Sequence, residues 1–177
     1  MKKLLVVAAI LTVSFANAQA FSGKGDQKFQ VGANFQSHAT GLNVSYDYGL
    51  GENISVGISS SYALGVSGDL QDGVKEPITG ITLVDKAGFD DRFDLKARFN
   101  ANIGNVLKID ENFDLYPGLS FSMKNFGGHL GARYFFTTGF GIYTEAQFPI
   151  AKYKDNLTPS QELNNQFSMN LGAVFNL

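Results

Sequence analysis

Two histidines, a few charges on alternating segments and one acid-rich stretch are the residues of this chain whose types could do chemistry. His38 follows Ser37, and an imidazole beside a hydroxyl can serve as base and nucleophile. Neighbours on a strand face opposite ways, however, and no acid is placed to orient the ring of His38 or of His129. No catalytic residue is therefore assigned. Arg133 and Glu145 stand on successive alternating segments joined by Thr137-Thr138-Gly139, which makes them direct or diagonal neighbours. Arg98 and Asp47 share their side of the alternation. These four could form a selective gate or an ion network that fills an interior, and the second is the reading adopted. The stretch Gly65 to Asp91 carries Asp69, Asp72, Asp85, Asp90 and Asp91 with Lys75, Glu76 and Lys86. It lacks the spacing of a calcium-binding loop, so it reads as solvated, with no metal or cofactor expected.

The elements that must position these residues are strands. Period-two alternation recurs eight times, with turn-forming residues between. The segments begin near Lys28, Leu42, Ile54, Phe93, Phe113, Leu130, Phe140 and Gln166, and the last ends at Leu177. Short connections are expected at His38–Gly41, Gly49–Asn53, Asn105–Asn112, Asn125–Gly128 and Thr137–Gly139. Gly65–Asp91 and Lys152–Asn165 are the long ones, and Val74, Ile78, Ile81 and Leu83 suit a small hairpin within the first. Pro117 cannot donate to a ladder, so a local irregularity is expected there.

The N-terminus has the form of a secretory leader. Lys2 and Lys3 precede an apolar run from Leu4 to Phe15 and then Ala16-Asn17-Ala18. The run is too short for a membrane-spanning helix, which needs roughly 20 apolar residues. Residues 1–18 are read as the leader and 19–177 as one domain. With 16 acids against 14 bases and no concentrated basic face, nucleic-acid binding is not expected. There is no cysteine, which excludes disulfides and thiol chemistry.

Alternation alone leaves open which face is inside. A soluble barrel would turn the apolar face inward around a ligand, and a membrane barrel would turn it toward lipid. Volume decides first, because an eight-stranded barrel has room only for side chains or one small ligand. The apolar face holds far too many Phe, Leu, Ile and Val residues to fit. The polar face is rich in Gly and Ser, with Lys28, Lys96, Arg98 and Arg133 against Asp47, Asp94, Asp114 and Glu145. Balanced charges among small residues suit a crowded interior where each charge needs a partner. Aromatics on the apolar face gather toward the two ends, for example Phe29, Phe140 and Phe175 at one and Phe35, Phe121 and Phe167 at the other. That sorting matches two membrane–water interfaces. The expected fold is all-β: an eight-stranded antiparallel up-and-down transmembrane β-barrel, lipid-facing outside, with a polar filled interior.

From Phe21 to Leu177 the chain resembles the small eight-stranded outer-membrane β-barrels of Gram-negative bacteria, the OmpA/OmpX-type group. Gly131-Ala132-Arg133-Tyr134-Phe135-Phe136 followed by Gly141-Ile142-Tyr143-Thr144-Glu145 is similar to a hairpin common in such barrels. The terminal strand is similar to the signal read by the barrel-assembly machinery, although it ends in Leu177 with Phe175 two residues before it. The resemblance implies a location in the cell outer membrane, contact with its lipid, handling by that machinery and a monomeric state. It implies a structural or surface-interaction role without an open channel, with the 65–91 loop available to an external partner. A narrow pore for small solutes and a lipid A-modifying enzyme, which would use a His with a Ser near the outer rim, are the competing readings.

Overall fold

Strands rich in β-branched and aromatic residues, each with one apolar and one polar face, can bury neither face alone. In the computed structural model, which describes residues 19–177 apart from Ile78 and Ile81, they solve this by closing on one another. The strands are β1 Gln27–Gln36, β2 Ala39–Gly49, β3 Ile54–Val66, β4 Val74–Lys75, β5 Thr82–Val84, β6 Phe93–Ala101, β7 Phe113–Ser122, β8 Asn125–Phe135, β9 Phe140–Lys152 and β10 Ser168–Asn176. Eight of them form a closed barrel in the order β1-β10-β9-β8-β7-β6-β3-β2, while β4 and β5 pair separately. The closing seam is antiparallel and regular, from Lys28↔Asn176 to Gln36↔Ser168. No edge of the large sheet is left open to another chain.

The faces divide as alternation requires. Leu119, Leu171 and Ile58 project outward at 46%, 56% and 57% exposure, while Arg133 and Glu145 are each 1% exposed inside. Among the described residues no helix is long and apolar enough to cross a membrane. Residues 1–18, and with them the expected leader, lie outside the described residues.

Several boundaries differ from the sequence reading. Asn125–Gly128 is not a turn but the start of β8, and the chain reverses at Met123-Lys124. The glycines that suggested a turn serve close approach instead. A Cβ at Gly127 would come within 2.8 Å of the Phe148 carbonyl oxygen, and one at Gly128 within 2.8 Å of the Phe148 ring. The first connection is shorter than expected, because β2 already starts at Ala39 and His38 turns the chain with a φ of 63°. β6 ends at Ala101, so Ile103 is not a strand residue; it precedes the helical turn Gly104–Leu107. β10 begins at Ser168, two residues later than expected, and the Gln166 side chain before it donates to the Ser37 carbonyl at 2.7 Å.

The 65–91 segment is more ordered than a plain loop. β3 continues to Val66, and helical turns form at Gly68–Asp72 and Phe89–Arg92. The expected hairpin is present as Val74↔Val84 and Lys75↔Thr82, with Ile78 and Ile81 outside the described residues. Pro117 sits in an unbroken β7 facing Leu130 of β8. The irregularity it causes is on its other side, where the β6–β7 ladder stops at Asn100↔Gly118.

Candidate functional site

The interior holds the chemistry-bearing residues, and strand parity puts them there. Asp47 on β2, Arg98 on β6, Arg133 on β8 and Glu145 on β9 all point inward and are all at least nine-tenths buried. Arg98 joins two of them: its Nη2 lies 2.6 Å from Glu145 Oε2 and its Nε 3.1 Å from Asp47 Oδ1. Arg133 pairs elsewhere. Its Nε and Nη2 both donate to Asp114 Oδ2, at 3.0 and 2.8 Å, and Nη2 also donates to Asn102 Oδ1 at 2.8 Å. Its Nη1 approaches Asp47 Oδ2 at 3.7 Å. Arg133 and Glu145 are diagonal in the β8–β9 register, as expected, but each takes a different partner.

The pairs extend along the barrel. Gln147 donates to Glu145 at 2.7 Å and accepts from Lys96 at 3.1 Å, and Lys96 lies 3.7 Å from Asp94. Toward the short-turn end, Lys28 pairs with Asp26 and donates to Asn176 at 2.7 Å. Tyr116 lies between the two guanidinium groups, its ring centre 4.6 Å from Arg133 Cζ and 5.7 Å from Arg98 Cζ. A cation over an aromatic face is favoured most where water is excluded. The Tyr116 hydroxyl accepts from Gln30, and Gln30 accepts from Ser45.

Both ends of this column are covered. At the short-turn end Ala20 and Phe21 are buried; the Ala20 N–H donates to the Glu111 carbonyl at 2.8 Å and the Phe21 carbonyl accepts from Asn105 at 2.8 Å. The Lys28 ammonium lies between the rings of Phe21 and Phe135, 5.9 and 5.3 Å from their centres. At the long-loop end Leu70, Ala87 and Leu163 pack with Ala39 and Ala63 over the mouth. Asn164 ties that cover to the wall through Gln36, Ser61 and the Arg92 carbonyl. Lys124 donates to the carbonyls of Asp91 and Leu163, and its burial there holds the ammonium below the ordinary lysine pKa.

The two histidines are not brought together. His38 is exposed in its turn, whereas His129 is buried inside with Nε2 2.7 Å from the Asn100 carboxamide oxygen. Among the described residues no group of three or more His, Cys, Asp or Glu side chains converges on a point where a metal could sit. Sequence reasoning named four members of the network, placed Asp114 on the inward face without giving it a partner, and passed over Tyr116, Gln147 and Asn102. Asp114 was legible, because it stands opposite Arg133 on adjacent strands. Tyr116, Asn102 and Gln147 had only their inward parity to mark them.

Residues 11–177 match the model of a family of unknown function, DUF6646. The chain belongs to that family. Among solved structures, a de novo designed transmembrane β-barrel is similar with a TM-score of 0.57 and 8% identity, over 88% of this chain and 98% of the design. The likeness to the design is one of fold. The N-terminal β-barrel domain of Pseudomonas aeruginosa OprF matches at a TM-score of 0.46 and 11% identity, over 88% of this chain and all of that one. The Yersinia pestis outer membrane protein Ail matches at 0.46 and 15%, over 87% of this chain and all of that one. No protein of curated function matches the sequence.

Proposed function

We propose that this DUF6646 protein is an integral outer-membrane barrel of the OmpA/OmpX type whose role is structural or surface-interacting, without an open channel. Export by the leader at residues 1–18 and insertion through the terminal strand belong to the same reading. So do a monomeric state in outer-membrane lipid and an external partner at the 65–91 loop. The observation that carries the reading is the filled interior: Arg98 and Arg133 are 4% and 1% exposed and are paired with acids from three other strands. An eight-stranded barrel has little interior to spare, and here charge pairs, Tyr116 and Tyr143 occupy it. Solutes would have to break buried ion pairs to pass, each costly to separate.

The test is conductance. Refolded protein in a planar bilayer should give no steady current, and the outer-membrane fraction should show heat-modifiable migration on a gel. Discrete open-channel steps from the wild-type chain would overturn the sealed reading, and absence from the outer-membrane fraction would overturn the location. Acting on lipid A is not part of the proposal, since His129 is enclosed and His38 stands apart from it; an unchanged lipid A mass on overexpression is the expected result.

A further inference from the structure

A cavity of about 410 Å³ opens beside the long-loop end of the barrel, between the helical turn Phe89–Arg92, the Met123-Lys124 reversal and the 153–165 loop. Its size falls within the range of about 300–1,000 Å³ in which small molecules are held. We propose that it binds a pyranose sugar, carried either by a membrane glycolipid or by a free glycan.

The lining has the two halves that such a ligand needs. One wall is apolar and partly aromatic, made by Tyr153, Met123 and Leu157. Tyr153 packs against Phe121 with ring centres 6.0 Å apart and remains 46% exposed, which leaves ring surface for a ligand. A sugar ring offers such a face its row of C–H groups.

The other wall is polar and uncommitted. Asn165 is only 2% exposed, and its Oδ1 accepts from Asn125 at 2.9 Å. Among the described residues its Nδ2 donates to no partner, and the residue lines the cavity. Gln161 uses its Oε1 to accept from the Thr158 N–H at 3.3 Å, and among the described residues its side-chain amide nitrogen donates to no partner. Asp90 supplies an acceptor. Donors and acceptors interleaved at one site suit hydroxyl groups, each of which both donates and accepts.

Charge points the same way. The acids of this cavity are offset by Lys124 and Lys154, and Lys124 is already spent on the carbonyls of Asp91 and Leu163. A neutral polar ligand therefore fits better than an anion. The position also fits, because Met123 is 91% exposed at the end of the apolar band, at the level where a bilayer's headgroups lie. The choice between glycolipid and free glycan rests on the proposal that this end faces outward; the chemistry of the cavity does not.

The full chain in phospholipid nanodiscs free of glycolipid would be mixed with methyl pyranosides and short oligosaccharides of glucose, galactose, mannose and N-acetylglucosamine, read by saturation-transfer NMR. A second arm would use nanodiscs doped with a glycolipid and read the same sugar signals. Transfer in either arm, weakened at least tenfold in Tyr153→Ala and in Gln161→Ala, is the expected result. Both variants alter surface loop residues and should keep heat-modifiable migration, which reports the barrel separately. No transfer from any sugar in either arm, or transfer that survives Tyr153→Ala unchanged, would overturn the proposal.

Discussion

Asp47 and Arg98 are ion-paired at 3.1 Å although a whole strand, β3, runs between them. The register explains how. Gly57 stands opposite Asp47 on one side and Arg98 on the other. With no side chain on β3 at that level, the carboxylate reaches across it. A Cβ at Gly57 would sit 2.3 Å from Asp47 Oδ1 and 2.2 Å from the Tyr46 carbonyl oxygen. Gly57→Ala should therefore cost about 1–3 kcal/mol through overpacking. Gly139→Ala is the control, since a Cβ there meets nothing within 4 Å. Urea unfolding in lipid vesicles measures both, and equal stability of the two variants would contradict the packing account.

Glu145 holds the other side of Arg98, at 2.6 Å, and both are sealed from water. Glu145→Ala leaves a buried guanidinium with Asp47 as its remaining acid, and removing one partner of a buried pair typically costs about 3–5 kcal/mol. Glu145→Gln should cost less, because the carboxamide oxygen still accepts a hydrogen bond. Neither variant should conduct in a planar bilayer, since Tyr116 and Arg133 still fill the lumen. A steady current from either would mean that the network is a gate.

The architecture was legible because a barrel writes its two faces into alternate residues, and both the closure and the direction of the faces follow from volume. The network was legible in part. Asp47, Arg98, Arg133 and Glu145 have the right parity, but parity alone does not say who meets whom. Arg133 turns to Asp114, its partner across β7–β8, and Glu145 to Arg98 on β6. Glycine misled the reading where it serves space instead of a turn, as at Gly127 and Gly128 in β8. The plug at the short-turn end had no periodic signal, because Ala20 and Phe21 belong to no strand and are placed by the cavity they fill.

Phe21 tests that plug. Its ring is 2% exposed and lies against the Lys28 ammonium. Phe21→Ala should lower stability by about 3 kcal/mol through lost burial and the cavity left behind. Ser22→Ala, next in the chain, loses only its hydroxyl bond to Asp26 and should cost about 1 kcal/mol. Thermal unfolding followed by gel migration separates the two. Equal, small effects would mean that the segment merely rests on the barrel.

The outward face is tested at Leu119. It lies within β7, pairs with Phe99 and Gly128, and is half exposed on the apolar face between Pro117 and Phe121. In lipid, an arginine at that depth should cost about 2–4 kcal/mol, falling toward zero near the interfaces. Leu119→Arg should therefore destabilise the refolded barrel far more than Met123→Arg, which changes the fully exposed residue at the β7–β8 reversal. Leu119 and Met123 share one parity along the chain, so the two variants probe the middle of the apolar face against its end. Refolding equilibria in bilayers of fixed composition give the difference directly. If both substitutions cost the same, the apolar band around Leu119 does not sit in hydrocarbon.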